Sequence, residues 1–243
     1  MRIGVLVQAR FGSTRLPGKV LKPLSGESML LRVLERAQTA ARPDCFGAVV
    51  PYGEEDDPVA EEARSSGVRV VRGSEDDVLA RFVQGILRYN LDIVVRLTAD
   101  NPFVEGSVID AMIGHLQECG LDYLHNVRGA GYPLGTCVEV VRDTALKEAF
   151  ARSDRQADHE HVTSYIYDTD ADYETGVFRR KESADHIRLT VDTEEDSRLA
   201  SWIFENVDDL PAEFGLEEIL RLHESNPEKF TLNQSVQQKS IDD

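Results

Sequence analysis

Short apolar runs alternate with amphipathic stretches through the first half of the chain, and this alternation limits the possible folds more than any other feature of the 243 residues. Ile3, Val5 and Val7 make the first run, followed by Phe46 to Pro51, Val68 to Val71 and Asp92 to Leu97. Between the first two, Leu30, Val33, Leu34, Ala37 and Ala41 recur at helical spacing behind Ser28, a capping residue type. The acidic Gly53-Glu54-Glu55-Asp56-Asp57-Pro58 opens a second helix. Ser74 and Asp77 form a capping box for a third, which carries Val78, Leu79, Phe82, Val83, Ile86 and Leu87. Strands and helices in this order predict a parallel sheet covered on both faces, with ligands at the carboxyl ends of its strands.

The second half extends the pattern and then changes it. Val108, Ile109, Met112, Ile113 and Leu116 mark another helix, and Asp122 to Val127 reads as a strand. From Gly129 onward a loop at 131–136, a strand at Val138 to Val141 and helices near Thr144 to Ala151 and Asp158 to Tyr167 read as an embellishment over the carboxyl edge of the sheet. Ile187 to Asp192 is expected to return as a strand, followed by a helix capped by Thr193 and Asp196 and a last helix over Glu217 to His223. Nothing in the composition forces a second core, so 1–230 is expected as one domain with 129–173 as its embellishment. Residues 231–243 read as a polar tail, loose or ordering on a partner.

Charge narrows the function classes. With 27 basic and 44 acidic residues, the formal net charge is −17, and no extended basic face is available for nucleic acid or an anionic membrane. The N-terminal apolar run is too short for a signal peptide or a span. Cys45, Cys119 and Cys137 have no C-x-x-C spacing, so neither a disulfide framework nor a zinc site is indicated and a reducing cytoplasm is expected.

Against that acidity, the first 26 residues hold no Asp or Glu and carry Arg2, Arg10, Arg15, Lys19 and Lys22. The loop after the first strand places Gly12 and Gly18 where the backbone can approach an anion, with Pro17 stiffening the turn and Ser13 and Thr14 adding donors. A phosphate site and a plain connecting loop would both use these residues. Neither G-x-x-x-x-G-K-[ST] nor G-x-G-x-x-G occurs here, which excludes the two common phosphate motifs.

A short echo points the same way. Arg96-Leu97-Thr98-Ala99-Asp100 and Arg188-Leu189-Thr190-Val191-Asp192 share four of five residue types, and each ends a strand-like run on an aspartate. Two such carboxylates on one rim suit Mg²⁺, and capping of turns or helices is the other reading. His159 and His161 sit two apart, on different faces of a helix, so they do not form a metal pair. Asp168-Thr169-Asp170-Ala171-Asp172 contains a D-x-D pattern but reads as a solvated charge run, and Cys137 reads as a packed side chain rather than a nucleophile.

Three stretches, Q-A-R-F-G-S-T-R-L-P-G-K at 8–19, L-T-A-D-N-P-F at 97–103 and V-D-T-E-E-D at 191–196, resemble the cytidylyltransferases that activate acidic sugars. That group includes the 3-deoxy-manno-octulosonate and acylneuraminate cytidylyltransferases. The branch of the spore coat polysaccharide biosynthesis protein F is similar further, in R-G-S-E-D-D-V-L-x-R at 72–81, Tyr132-Pro133 with Val138-Glu139-Val140, and E-H-V-T at 160–163. The resemblance implies a nucleotide-diphospho-sugar transferase fold (GT-A, Rossmann-like), α/β and three-layered around a mostly parallel central sheet. It implies transfer of CMP from CTP to an anionic sugar or related acid, with release of pyrophosphate, Mg²⁺ as cofactor, a role in surface polysaccharide or glycan precursor synthesis, and a homodimer joined through the embellishment.

Carried over by position, the resemblance makes Arg10, Lys19, Asp100 and Asp192 catalytic, with Asp100 and Asp192 the metal ligands. It places nucleotide on Ala9, Arg10, Gly12, Ser13, Arg15, Lys19, Arg72, Gly73, Arg81 and Thr98, and acceptor on Tyr132, Glu139 and His161. Two departures stand out. Asn101 follows the first aspartate where many relatives have an acid or Cys, and Leu134-Gly135-Thr136-Cys137 replaces a loop that commonly carries two aspartates. The other readings are a glycosyltransferase using nucleotide sugars and a nucleotide-binding regulator without catalysis.

Overall fold

The computed structural model describes residues 1–127, 129–168, 172–208, 210 and 212–237. In chain order the first half holds β1 (Ile3–Gln8), β2 (Pro23–Leu24), β3 (Glu27–Ser28), α1 (Met29–Ala37), β4 (Cys45–Pro51), α2 (Asp57–Ser65), β5 (Arg69–Gly73), α3 (Val78–Tyr89) and β6 (Ile93–Thr98). The second half holds α4 (Gly106–Cys119), β7 (Tyr123–His125), β8 (Glu139–Arg142), α5 (Asp143–Arg152), α6 (Gln156–His161), α7 (Ser164–Asp168), β9 (Thr175–Val177), α8 (Glu194–Asn206) and α9 (Leu216–Ser225).

Seven strands form one sheet in the order β5-β4-β1-β6-β8-β7-β9. The β5-β4-β1-β6 half is parallel, and β8 runs antiparallel to both β6 and β7. Successive strand residues bury on opposite faces: Val5, Val7, Val95 and Leu97 join one apolar cluster, while Leu6, Val49 and Val94 join the other beneath α3 and α5. The expected α/β architecture is therefore present, with β1 and β6 adjacent at its centre and their carboxyl ends side by side.

Helix starts follow their caps. Ser28 Oγ accepts from the Leu31 amide at 3.2 Å, and Thr193 and Asp196 form a reciprocal capping box at the head of α8. At α3 the N-cap is Asp77 rather than Ser74: its carboxylate accepts from the Ala80 amide at 2.8 Å, while Ser74 Oγ accepts from the Asp77 amide.

Three elements differ from expectation. Ile187 to Asp192 is not a strand and makes a single bridge, Arg188 to Leu134. It crosses the end of the sheet, and because Ile187, Leu189 and Val191 all bury into the core, it shows the same period-two pattern as a strand. The helix expected over Asp158 to Tyr167 is broken at Val162, which adopts φ 69° and ψ −52° while the Thr163 amide donates to the His161 carbonyl at 2.7 Å. That is a tight γ-turn, strained for a β-branched residue. The short edge strand β9 lacked an apolar signature. Thr169 to Ala171 of the D-x-D run lies outside the described residues.

The crossing segment depends on Gly135. It has φ +112°, and a Cβ there would lie 2.2 Å from the Thr190 amide nitrogen and 2.3 Å from the Leu189 carbonyl carbon. Gly135→Ala is therefore expected to cost more than about 3 kcal/mol, because both contacts are backbone and neither can turn aside. Chemical denaturation beside the wild type measures this loss. Further on, Asn233 is buried and donates to the Arg188 carbonyl at 3.1 Å and to Asp196 Oδ1 at 2.9 Å, so the beginning of the polar C-terminal stretch is anchored on the turn that carries Asp192.

Candidate active site

The loop after β1 is held closed by its own backbone. The Phe11 amide donates to Asp56 Oδ1 at 2.6 Å, and the Gly18 amide to the Phe11 carbonyl at 3.1 Å. Gly18 takes φ +66° with the Phe11 ring against it, and a Cβ would lie 3.0 Å from that ring. A 3-10 turn over Lys19–Leu21 then directs Lys19 inward toward the ends of β6 and the crossing segment.

There Lys19 Nζ donates to Asp100 Oδ2 at 2.9 Å, Asp192 Oδ1 at 2.8 Å and the Val191 carbonyl at 3.0 Å. Asp192 Oδ2 forms an ion pair with Arg15 at 2.8 Å and accepts from Arg188 at 3.0 Å, and Arg188 continues to Asp196 at 2.9 Å. Thr98 Oγ1 donates to Asp100 Oδ1 at 2.6 Å and accepts from Asn101 at 2.7 Å, so Asn101 braces the aspartate from behind. Burial opposes the Lys19 charge, but the two aspartates more than offset it and hold the ammonium above its ordinary range. Burial would likewise raise Asp192, yet Lys19, Arg15 and Arg188 keep its carboxyl below the usual value.

These groups form one end of a cleft of about 630 Å³. Of the residues expected to bind nucleotide, metal or acceptor, Ala9, Arg10, Gly12, Ser13, Arg15, Lys19, Arg81, Thr98, Asp100, His161 and Asp192 line it. Arg10 is half-exposed and lies 3.9 Å from Glu75. Arg81 is 2% exposed, its Nε has no hydrogen-bond partner, and burial lowers its guanidinium to about 10. A buried guanidinium Nε without an acceptor, in a side chain that lines a cleft, is costly unless a ligand supplies one.

Arg72, Gly73, Tyr132 and Glu139 do not line the cleft. Arg72 turns to the other side of β5, where it donates to Asp57 at 2.7 Å and to the Gly53 carbonyl at 2.9 Å. Gly73 acts at one remove: a Cβ there would lie 2.6 Å from Arg81 Cγ, so its small size makes room for the Arg81 stem. Tyr132 stacks on Phe178, with ring centroids 6.4 Å apart.

Glu139 is buried behind the cleft wall, accepting from Tyr123 at 2.5 Å, Thr163 at 2.6 Å and Arg96. Arg96 itself reaches the cleft and donates to Gln8 Oε1 at 3.1 Å. Burial alone would raise the Glu139 carboxyl, but Arg96, Thr163 and Tyr123 outweigh it and hold it below its ordinary value. Its stabilising contribution is complete above the unfolded value of about 4.3 and is lost as pH falls through the lower folded value. Glu139→Gln should therefore lower stability by about 2 kcal/mol at pH 7, and the gap to wild type should narrow below about pH 4 in urea titrations.

Arg96, Arg188 and Gln8 were missed as site residues. The arginines stand four positions before Asp100 and Asp192, so the echoed motif already held the signal. His159 takes a structural role, contacting Asp77 at 2.9 Å and the Ser153 carbonyl at 3.0 Å. Burial pushes the Cys137 thiol up to about 11, which keeps it protonated and unreactive.

A basic loop faces two aspartates, Asp100 after the central strand β6 and Asp192 at the end of the crossing segment, an arrangement suited to a triphosphate. The family model described as cytidylyltransferase matches residues 4–241. The spore coat polysaccharide biosynthesis protein SpsF of Bacillus subtilis (strain 168) is 36% identical over 234 residues, covering 93% of this chain and 95% of the relative. A cytidylyltransferase structure from Leptospira borgpetersenii superposes with a TM-score of 0.91 at 28% identity, covering 98% of this chain and 100% of that one. CMP:2-keto-3-deoxy-manno-octonic acid synthetase complexed with CTP shares the fold, with a TM-score of 0.67 at 15% identity over 84% of this chain and 99% of that one. The family match spans nearly the whole sequence, the loop after β1 and both aspartates included, and this chain belongs to the cytidylyltransferase family.

Proposed function

We propose that this cytidylyltransferase transfers CMP from CTP to an anionic sugar or related acid and releases pyrophosphate. The observation that carries this reading is the meeting of Arg15, Lys19, Asp100 and Asp192 in the cleft, with Arg81, whose Nε has no acceptor, also in its lining. CTP as donor is supported by the family and by the nucleotide named in the synthetase complex.

An acceptor oxygen attacks the α-phosphorus in line, a new P–O bond forms, and the bond to the bridging oxygen breaks as pyrophosphate leaves. Arg10, Arg15, Ser13 and the backbone at Gly12 hold the triphosphate, and Arg15 and Lys19 offset charge growing on the leaving group. Arg81 is placed to donate to the base or ribose.

Asp100 Oδ2 and Asp192 Oδ1 both lie within 2.9 Å of one ammonium, so the pair is aimed at a single cation position and fits Mg²⁺. Among the described residues no group of three or more His, Cys, Asp and Glu could hold a metal, so substrate oxygens and water would complete the shell. When bound, the ion supplies positive charge beside the triphosphate oxygens.

The polysaccharide role named for the Bacillus subtilis relative supports glycan precursor synthesis as the setting. We place the enzyme in the cytoplasm, as a homodimer joined through 129–173. No helix among the described residues is long and apolar enough to cross a membrane. Light scattering should give twice the 27.2 kDa chain mass, and a monomer at micromolar concentration would reject the dimer.

Thermal shift with each of the four ribonucleoside triphosphates and Mg²⁺ tests the nucleotide. At a hundred times its Kd a ligand stabilises by about 2.7 kcal/mol, so CTP should raise the melting temperature by several degrees and more than ATP, GTP or UTP. An equal response to all four would contradict cytosine selection.

A further inference from the structure

Lys19 occupies the position that the Asp100 and Asp192 carboxylates both face. An ammonium has three donors, and all three are used, on Asp100, Asp192 and the Val191 carbonyl. Both carboxylates are also occupied on their other oxygens: Asp100 Oδ1 accepts from Thr98, and Asp192 Oδ2 accepts from Arg188 and pairs with the charge of Arg15. Among the described residues the ion pairs also balance, Asp100, Asp192 and Asp196 standing against Lys19, Arg15 and Arg188. A divalent cation arriving alone meets carboxylates already paired, with an ammonium in the position that both face.

A triphosphate changes both conditions. It brings several negative charges to the loop that carries Arg15 and Lys19, and it offers Lys19 phosphate oxygens in place of carboxylates. Lys19 sits beside Gly18 at the end of that loop, where a change of side-chain rotamer can redirect its ammonium without moving the sheet. A ligand moves such an equilibrium only by its different affinities for the two arrangements, and the polyphosphate charge provides that difference.

We propose that Lys19 is the resident counter-ion of the Asp100–Asp192 pair, and that the cation enters only as nucleotide draws Lys19 away. This rests on the reading that the two aspartates hold the ion. The consequence is synergy: nucleotide and cation each bind tightly only with the other, and free metal does not load the enzyme in advance.

Binding of Mn²⁺ alone, followed by electron paramagnetic resonance of the free ion, tests this without turnover. Wild type should bind weakly, and Lys19→Met at least tenfold more tightly, with Lys19→Gln as a second variant and melting curves to confirm folding. Asp192→Asn added to Lys19→Met should abolish the gain. In wild type, water-proton relaxation should report a protein-bound Mn²⁺ complex with α,β-methylene-CTP and little with Mn²⁺ alone. Equal Mn²⁺ affinity in wild type and both Lys19 variants, lost in Asp100→Asn, would overturn the counter-ion role and leave the metal assignment standing. Absence of protein-bound Mn²⁺ in every form, with or without the analogue, would overturn the metal assignment and this inference together.

Discussion

Asp192→Ala is expected to lower transfer by about a thousandfold or more, about 4 kcal/mol in the barrier, while the protein remains folded. Asp192 is where the cluster meets: one oxygen holds Lys19 and the other holds Arg15 and Arg188. Without it the loop cations lose the anchor that fixes them relative to Asp100, and the proposed metal site loses one of two ligands. The fold should persist because each of the three cations keeps another acceptor, Arg188 on Asp196, Lys19 on Asp100 and Arg15 on the Gln237 carbonyl. The crossing segment is also tied by the Val191 amide to the Asp100 carbonyl at 2.9 Å and by the Asp192 amide to Asp196 at 3.0 Å. We expect a stability loss of only about 1–2 kcal/mol in urea titration. A kcat within tenfold of wild type would remove Asp192 from the reaction.

Arg81→Met should move stability and binding in opposite directions. Arg81 is buried, and among the described residues Nη1 makes a long 3.5 Å contact to the Val49 carbonyl while Nε has no partner. Leaving a buried donor unmet costs about 1–3 kcal/mol, and methionine fills similar space without that penalty. The variant should therefore be more stable than wild type by about 1 kcal/mol or more in chemical denaturation. Its affinity for α,β-methylene-CTP should fall about a hundredfold in calorimetric titration, since a charged hydrogen bond to the nucleotide is lost. A less stable variant with unchanged affinity would make Arg81 a structural residue.

The central strands were legible because a parallel sheet buried on both faces requires apolar runs, and β1, β4 and β6 supply them, while the edge strand β5 shows only Val70 and Val71 between arginines. The same logic misread Ile187 to Asp192, since alternate burial records only which side chains point inward and not whether the backbone has a pairing neighbour. The loop after β1, which lines the cleft, stood out by its charge: a run of 26 residues without acids is conspicuous in a chain of net −17. Arg72 and Arg81 show the limit of that signal. They are the same residue type nine positions apart, yet one faces Asp57 across the sheet and the other lines the cleft, a difference set by strand face and helix phase. Glu139 illustrates it further, because its partners Arg96, Tyr123 and Thr163 come from three separate stretches that only the folded chain brings together.

The most direct test of the central claim is pyrophosphate release from each of the four ribonucleoside triphosphates with Mg²⁺ and a panel of sugar acids, run on wild type and Asp192→Ala. The account predicts release that requires CTP and an acceptor together and falls about a thousandfold in the variant. Turnover of a nucleoside diphosphate sugar without pyrophosphate, or acceptor-dependent release undiminished by Asp192→Ala, would contradict it.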